Sequence, residues 1–414
     1  MTVNVADNTS SMNAAIESLK RESAPKIIFG AGVIGEVLFQ ACSVAGIKID
    51  CFCDDKVKGP VCGRKVLHSS ELRGSYRDAI FFIASANIKD MVDRLRDLGY
   101  SRWYSCGLLL RDFKASQKSV GSSAFTPEHV EYKVSTCVLC HDNYMNPDRL
   151  FVQSVDIIIT EKCSMKCTDC SNLMQYYEKP ENVELDETLK TIEAFCRDMD
   201  DIYEFRIIGG EPFMNKELHL VVEKLVLEPK VKKIAIFTNG TILPRETQIP
   251  SLQNSKVTLF ITDYDELSRK LTELTQLLDE RGISYFSQKA QGWTDCASLE
   301  KHNRTLEQGV EVFKECCAKN LATLSEGRLY RCPFHANGAR LKAIPDVEED
   351  FIDFLEKPLN EIDSAEMRKR LRSFLVEKTY IEACDYCNGR PYGAPKITPA
   401  IQIDKPLPYR KVSS

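Results

Sequence analysis

The feature that most constrains the fold is an alternation of strand-like apolar runs and helical patterns that begins near residue 151. Helical patterns such as "LDETLKTIEAFCRDM" separate the runs, which include "VDIIIT", "EFRIIGG", "KKIAIFTNG" and "KVTLFITDY". Strands joined by helices of this length form parallel sheets, because each helix crosses back over a face of the sheet. The alternation therefore predicts an α/β domain whose parallel sheet is curled into an open or closed barrel.

Three cysteines follow the first of these strands in the stretch "CSMKCTDC", at positions 163, 167 and 170. Barrel enzymes place their chemistry at the carboxyl ends of the strands. Three thiolates on a four-iron cubane leave one iron without a protein ligand, and that iron can bind a small molecule and pass it an electron. The alternatives are half of a zinc site that is completed from elsewhere in the chain, or cysteines that merely lie in a loop.

Later strands of the alternation also end in polar or glycine-rich motifs. The paired glycines of "GGEP" let the backbone approach a ligand closely, and the glutamate can accept a hydrogen bond from an ammonium group. The tripeptide "TNG" suits polar contacts to a ribose. The candidate ligand-binding residues at these strand ends are Gly209, Gly210, Glu211, Pro212, Thr238, Asn239, Thr262 and Asp263.

The order of these motifs resembles the radical S-adenosylmethionine (SAM) superfamily over roughly residues 151–300. The resemblance implies that Cys163, Cys167 and Cys170 ligate a [4Fe–4S] cluster and that SAM completes the unique iron near the "GGEP" motif. The reduced cluster would cleave SAM to a 5′-deoxyadenosyl radical that abstracts hydrogen from substrate. A low-potential donor such as flavodoxin or ferredoxin would supply the electron. The superfamily often has an aromatic residue where this chain has Asp169, so the contact to adenine must differ.

A second set of cysteines lies near the end of the sequence. Nine residues separate Cys317 from Gly327, four more precede Cys332, and a Cys-x2-Cys pair follows downstream. This spacing resembles the auxiliary-cluster extensions called SPASM and, in the shorter form, twitch. It implies one auxiliary [4Fe–4S] cluster with the ligands Cys317 (or Cys316), Cys332, Cys384 and Cys387. The alternative is a structural zinc site built from four cysteines.

Two further groups of residues have no assigned partner. The pair Cys137 and Cys140 in "CVLCH" could bind a metal with ligands that the sequence does not identify. Arg331 and His335 flank Cys332 and are candidate catalytic residues, for substrate contacts or as a proton acceptor. A histidine in such a place is more often a packed residue than a base.

The amino-terminal part contains "GAGVIG", which follows a strand and opens a helix, as dinucleotide-binding loops do. The domain is short for a whole dinucleotide site, and it resembles small Rossmann-like domains of bacterial sugar-modifying enzymes. Binding of a nucleotide or nucleotide-sugar, binding of NAD, and a purely structural role all stay open. The candidate nucleotide-binding residues are Gly30, Gly32, Gly35, Asp54 and Asp55.

Composition narrows the function classes. The chain has 55 lysines and arginines against 60 aspartates and glutamates, a net charge of −5 that argues against a nucleic-acid partner. It shows no signal-peptide pattern, and its apolar runs are too short to cross a membrane, so we expect a cytoplasmic protein without a membrane partner. In a reducing compartment, 17 cysteines indicate metal binding or catalysis rather than disulfides.

The sequence thus predicts an α/β protein with an amino-terminal Rossmann-like domain, a partial (β/α)6 barrel with a radical SAM core, and a carboxyl-terminal twitch domain. We expect oxidation, epimerisation or elimination on a sugar, aminosugar or nucleotide-sugar, as in bacterial polysaccharide pathways. The alternatives are a peptide-modifying radical SAM maturase and a zinc-stabilised nucleotide-binding protein without enzymatic activity. The expected segments are a polar segment (1–24), the Rossmann-like domain (25–112), a linker (113–150), the barrel (151–305) and the twitch domain with its tail (306–414).

Overall fold

The computed structural model describes residues 9–72, 76–114, 127–358, 361–391 and 393–412. The chain divides into two compact units, Met1–Asp148 and Arg149–Ser414. Each unit has its own sheet and its own hydrophobic core.

In its described part, the first unit contains one five-stranded sheet with the order β3-β2-β1-β4-β5, and all neighbouring strands are parallel. Its strands are β1 (Lys26–Phe29), β2 (Cys51–Cys53), β3 (Val66–Leu67), β4 (Ile80–Ile83) and β5 (Trp103–Ser105). Its helices are α1 (Thr9–Arg21), α2 (Val33–Val44), α3 (Ile88–Asp97), α4 (Gly107–Leu110) and α5 (Pro127–Met145). Alternate residues of the central strands enter two different cores, so both faces of the sheet are covered, as in Rossmann-like folds.

The segment expected to be a linker, 113–150, contains more structure than its polar composition indicated. Residues 115–126 lie outside the described residues, whereas α5 begins directly after them. This helix buries Val130, Val134 and Cys137 in the core of the first unit. Its apolar residues recur with helical spacing, and tertiary burial explains why the helix forms in a sequence with many polar residues.

The second unit contains an eight-stranded sheet, in the residues that the structure describes, with the order β10-β9-β8-β7-β6-β12-β13-β14. Neighbours from β10 to β12 are parallel, and the last two pairs are antiparallel. The strands of this unit are β6 (Phe151–Ile158), β7 (Asp201–Ile208), β8 (Val231–Thr238), β9 (Val257–Asp263), β10 (Tyr285–Lys289), β11 (Trp293–Thr294), β12 (Leu321–Ser325), β13 (Arg328–Tyr330), β14 (Ile352–Asp353) and β15 (Lys396–Ile397). The helices are α6 (Leu185–Asp198), α7 (Leu218–Leu227), α8 (Ile249–Leu252), α9 (Leu271–Arg281), α10 (Leu306–Glu315), α11 (Pro333–Arg340) and α12 (Ser364–Arg372).

The two faces of the large sheet differ in character. Val155 and Ile157 of β6 pack into the main core together with apolar residues of α6, α7 and α9. Asp156 lies between them in sequence and therefore faces the other side, where it forms a buried ion pair with Arg206 of β7. The helix-covered face carries the main core, whereas the opposite face combines this ion pair with a smaller apolar cluster that includes Ile158 and Ile208. The parallel strands and alternating helices confirm the predicted α/β fold.

The part of the chain after β10 is less regular, as its loss of alternation indicated. A separate core holds Phe334, Ile381 and Tyr386 together with cysteines of both predicted sets. In the described residues, no helix combines the length and the hydropathy that a membrane span requires.

Candidate functional site

The loop after β6 holds the three cysteines, and a distant segment of the same unit pairs with it. Thr168 donates its backbone N–H to the carbonyl of Ile401 over 2.8 Å, and Ile403 donates to the carbonyl of Lys166 over 2.8 Å. Ala400 packs against Met165 and the cysteines. The loop is therefore fixed by a short strand-like pairing that no local sequence pattern predicts.

The three thiols lie in a largely buried cluster that also contains Met165. Burial raises the pKa of Cys163 and Cys170, and it raises the pKa of Cys167 to about 11 although a hydrogen bond from Gln402 opposes the shift. Without a cation the site favours neutral thiols, because burial penalises the thiolates. Three cysteine sulfurs from one short loop, largely removed from solvent, are the kind of donor set that iron–sulfur clusters use. The residues present fit a [4Fe–4S] cluster with one iron that has no protein ligand.

The glycines of "GGEP" are required by close contact with the cysteine loop. Gly209 has a φ of +148°, and a Cβ atom there would lie 2.2 Å from the carbonyl oxygen of Thr160. A Cβ on Gly210 would lie 2.2 Å from the carbonyl oxygen of Lys162. The end of β7 thus approaches the loop as closely as backbone can, and Gly210 donates its N–H to Thr160 over 2.9 Å.

Glu211 joins the motifs at the ends of β7 and β8. Its carboxylate accepts hydrogen bonds from the hydroxyl of Thr238 at 2.9 Å and from the backbone N–H of Asn239 at 2.9 Å. The side chain of Asn239 in turn donates to Ser164 at 3.3 Å, next to Cys163. Burial raises the pKa of Glu211 to about 7 in spite of these hydrogen bonds. The structure therefore brings "GGEP", "TNG" and the cysteine loop into one hydrogen-bonded cluster. Pro212 begins the single turn that follows and is buried.

The end of β9 lies in the same region. Of its two candidate residues, Thr262 is linked to the "TNG" motif through Ser268, whereas Asp263 takes part in a local turn. The hydroxyl of Ser268 donates to the carbonyl of Asn239 at 2.7 Å and also contacts the carbonyl of Thr262 at 3.3 Å. The carboxylate of Asp263 accepts from the N–H of Asp265 at 2.8 Å, which makes it part of a local turn.

Two aromatic residues that the sequence reasoning missed pack beside the three cysteines. They are Tyr264, directly after β9, and Trp293 of β11, with ring centroids 6.0 Å apart in an edge-to-face arrangement. The superfamily's usual aromatic position is occupied here by Asp169, whose pKa is raised by burial and by Asp295. Aromatic surface is thus present at the site, although it comes from other elements.

Comparisons with known proteins agree with this geometry. The Radical SAM superfamily profile matches residues 157–288, which contain all of the motifs described above. Residues 157–288 form a radical SAM domain. The resemblance noted in the sequence is confirmed at this level.

Two curated relatives each align with less than a third of this chain. A GTP 3′,8-cyclase of Stenotrophomonas maltophilia (strain R551-3) is 30% identical over 113 residues, which cover 27% of this chain and 33% of the relative. The Molybdenum cofactor biosynthesis protein moc-5 of Caenorhabditis elegans is 31% identical over 123 residues, 29% of this chain and 20% of the relative. The chain thus spans a third or less of the length of these relatives.

Among solved structures, BtrN in complex with AdoMet and 2-DOIA aligns with a TM-score of 0.39 and 16% identity, over 58% of this chain and 94% of that chain. The enzyme anSMEcpe with bound AdoMet aligns with a TM-score of 0.34 and 13% identity, over 57% of this chain and 88% of that chain.

Beyond the radical SAM domain, the second set of cysteines surrounds a small cavity. The cavity has a volume of about 40 Å³ and includes Arg331 and Arg390 in its lining. Cys317 is not among the lining residues, whereas its neighbour is, so the structure brings together Cys316, Cys332, Cys384 and Cys387. The fully buried Cys296 lies next to this set, because Cys387 contacts its carbonyl oxygen at 3.7 Å. Four sulfur donors around one cavity fit a fully protein-ligated cluster or zinc.

The two candidate catalytic residues are buried. Arg331 donates to the backbone carbonyls of Phe374 and Leu375 at 3.2 and 3.0 Å, so part of its guanidinium is used by the fold. His335 packs edge-to-face on Tyr330, and burial lowers its pKa to about 4. Its Nδ1 has no hydrogen-bond partner within the described residues. A proton-accepting role for His335 stays a prediction.

Arg390 is a third residue that the sequence reasoning missed. Burial raises the pKa of Cys170 in the radical SAM domain and of Cys332 in the second set, and the positive charge of Arg390 opposes both shifts. Arg390 lines the cavity of the second set. It follows Cys387 by three residues, and this proximity to a cluster cysteine is the signal that the sequence offered.

The glycine loop of the first unit has the expected strand–loop–helix form. Gly30 has a φ of +113°, whereas a Cβ on Gly32 would meet no atom within 4 Å. A Cβ on Gly35 would lie 2.1 Å from the carbonyl oxygen of Gly30, so this glycine is required by packing of the helix on the loop.

Both acidic candidates beside this loop are bound by groups of their own domain. Asp54 accepts from the N–H of Ala31 at 2.9 Å, and Asp55 forms an ion pair with Arg94 at 2.7 Å. Nucleotide binding at this loop stays a prediction.

Proposed function

We propose that the chain is a radical SAM enzyme whose first cluster is held by Cys163, Cys167 and Cys170. The observation that carries the proposal is the convergence of these thiols with the "GGEP" and "TNG" motifs at adjacent strand ends. When bound, the cluster and SAM together supply a 5′-deoxyadenosyl radical.

We expect the residues around the thiols to bind SAM and to orient it relative to the cluster. Glu211 is held by Thr238 and Asn239, so the carboxylate fixes the relative position of the two motifs. The backbone of Gly209 and Gly210 lies against the cysteine loop, and we expect this segment to contact the amino group of SAM. The rings of Tyr264 and Trp293 pack beside the sulfur atoms.

We further propose that Cys332, Cys384, Cys387 and one of the adjacent Cys316 and Cys317 hold an auxiliary cluster of the twitch type. The cysteine-lined cavity supports this assignment. Because four thiolates would ligate such a cluster completely, we expect substrate to bind beside it rather than on it.

The proposed substrate is a carbohydrate-like molecule that carries hydroxyl and phosphate groups, such as a nucleotide-linked sugar. Arg390 lines the cavity of the second cysteine set, and guanidinium groups bind phosphate well. Within the described residues, the side-chain amide of Gln175, the hydroxyl of Thr323 and the Nε of Arg390 are buried without hydrogen-bond partners. A buried polar group without a partner costs about 1–3 kcal/mol, which a polar ligand can recover. One curated relative is a GTP 3′,8-cyclase, and GTP contains both phosphate and ribose.

The test is anaerobic turnover with SAM, a strong reductant and a panel of nucleotide-sugars, aminosugars, GTP and short peptides, followed by mass spectrometry and by chromatography against epimer standards. We expect one class of phosphorylated sugar to raise 5′-deoxyadenosine formation above the uncoupled rate and to yield a product of changed mass or configuration. Stimulation by a peptide alone would contradict the substrate class and favour a maturase. Iron-free protein that contains zinc at the three-cysteine site would contradict the enzyme itself.

A further inference from the structure

The pair of cysteines in "CVLCH" acquires partners in the structure. Cys106, which precedes α4, lies with its Sγ 3.3 Å from the Sγ of Cys137 on α5. His141 follows Cys137 by one helical turn, and its Nε2 lies 3.5 Å from the same sulfur. One donor atom of each side chain lies within 4.8 Å of the others, and all three residues are buried.

We propose that Cys106, Cys137 and His141 bind a structural zinc ion in the first unit. Thiolate and imidazole are the ligands that zinc prefers in structural sites. Tetrahedral zinc, with Zn–S of about 2.3 Å and Zn–N of about 2.0 Å, separates two sulfurs by about 3.8 Å and a sulfur from a nitrogen by about 3.5 Å. The observed separations of 3.3 and 3.5 Å need only a small expansion to accept the ion.

The surroundings of the histidine also suit a ligand. Metal-bound imidazoles usually donate their second N–H to a carbonyl or another polar group. Here the Nδ1 of His141 lies 3.0 Å from the hydroxyl of Ser105, and its Nε2 lies 2.8 Å from the carbonyl oxygen of Ser85. The Nδ1 also accepts the backbone N–H of Cys106 at 3.2 Å. Zinc on Nε2 would replace its contact with Ser85, and the Nδ1–H would then donate to the hydroxyl of Ser105.

The fourth ligand is assigned to Cys140. It follows Cys137 by three residues and precedes His141, so all three lie on one face of α5. Its side chain is buried, although its sulfur lies outside the group of donors within 4.8 Å of one another. A rotation about its side-chain bonds would complete a Cys3His site.

The bound ion would cross-link α5 to the segment that follows β5. Helix α5 packs into the core of the first unit through apolar residues, and its Asp142 forms an ion pair with Arg111 at the end of α4. Zinc bound by Cys106 and by two or three side chains of α5 would hold the helix against the sheet. Binding would release the thiol protons, as at other structural zinc sites.

The experiment measures zinc and iron per chain in the full-length protein after reconstitution of its iron sites and growth with added zinc. The variant C137S is compared with C42S, which removes another buried thiol of the same unit. We expect about one zinc per chain in the parent and in C42S, and a loss of at least ten-fold in C137S, with unchanged iron. Equal zinc in C137S and C42S, or no zinc in the parent, would overturn the proposal.

A second measurement guards against a C137S variant that fails to fold. Cobalt added to the zinc-depleted parent, with its iron sites filled, should give the absorption bands of tetrahedral thiolate-bound Co²⁺, and added zinc should abolish them. Octahedral cobalt or no bound cobalt would overturn the proposal. Zinc retention against a chelator should be weaker in C140S than in C42S, and equal retention would overturn the assignment of Cys140.

Discussion

Gln402 donates a hydrogen bond from its Nε2 to the Sγ of Cys167 over 3.2 Å, although 235 residues separate the two positions. The amide oxygen of the same side chain accepts from the backbone N–H of Lys166 over 2.9 Å. One side chain therefore holds both the backbone and the sulfur at the middle cysteine of the radical SAM domain. A segment far along the chain thus fixes a proposed cluster ligand.

The first prediction concerns this contact. Replacing Gln402 with alanine removes an N–H···S hydrogen bond, and hydrogen bonds to sulfur raise the reduction potential of iron–sulfur clusters by stabilising the reduced state. We expect Q402A to keep its iron but to show a more negative midpoint potential and faster iron loss to a chelator. The exposed residue Gln276 provides the control variant Q276A. A potential and a chelation rate equal to those of Q276A would contradict a role for Gln402 at the cluster.

The second prediction concerns a buried ion pair that joins α11 to the end of β6. Arg340 and Glu161 bond through side chains that are 6% and 10% exposed. Replacing Arg340 with methionine leaves Glu161 buried without its partner, so we expect the free energy of unfolding to fall by about 3–5 kcal/mol. The double variant E161Q/R340M should recover most of that loss in chemical denaturation.

The exposed pair of Arg281 and Glu246 is the matched control for this prediction. We expect R281M to change the free energy of unfolding by less than about 1 kcal/mol. A loss in R340M no larger than that in R281M would show that the buried pair does not stabilise this region.

The third prediction follows from the pKa of Glu211, which burial raises to about 7 from its ordinary value of 4.5. Between these values the folded protein binds more protons than the unfolded chain, so the contribution of Glu211 to stability is present below pH 4.5 and is lost as the pH rises to about 7. We expect E211Q to lack this part of the pH dependence, on the order of 3 kcal/mol. Urea unfolding at several pH values, with the surface variant E280Q as control, measures the difference. Parallel pH profiles for E211Q and E280Q would show that Glu211 is ionised throughout.

The fourth prediction separates two adjacent cysteines. The spacing to Gly327 favoured Cys317 as an auxiliary ligand, whereas Cys316 lines the cavity. We expect C316S to lose the iron of the second cluster, about four atoms per chain, and C317S to keep it. Mössbauer spectroscopy and iron analysis read the result, and both variants should retain the first cluster. Iron loss in C317S but not in C316S would contradict this prediction and identify Cys317 as the ligand.

The sequence predicted the parts of this protein that depend on local pattern. The alternation after residue 151 gave the parallel sheet, because apolar strands and amphipathic helices are encoded within single segments. The strand ends at Gly209 and Thr238 could be placed beside the cysteine loop for the same reason, since neighbouring parallel strands end at one edge. The glycine loop at Gly30 likewise predicted the first strand and helix of the amino-terminal sheet.

What the sequence did not predict depends on tertiary contacts between distant segments. Gln402 reaches Cys167 by way of an irregular segment, and the partners of Cys137 include Cys106, which is 31 residues away. The aromatic residues Tyr264 and Trp293 pack beside the three cysteines, and only the fold brings them there. Helix α5 lies in a segment of polar composition that predicted a linker. Burial of its apolar face in the core stabilises the helix, and that burial depends on tertiary contacts.

The most direct test of the proposed function is the variant in which Cys163, Cys167 and Cys170 are all replaced by alanine. Iron and 5′-deoxyadenosine are measured anaerobically in this variant and in a control with Cys196, a buried cysteine of the same unit, replaced by alanine. The account predicts that the triple variant loses about four irons per chain and forms no 5′-deoxyadenosine from SAM, while C196A retains both. Continued formation of 5′-deoxyadenosine by the triple variant, or iron content equal to that of C196A, would contradict it.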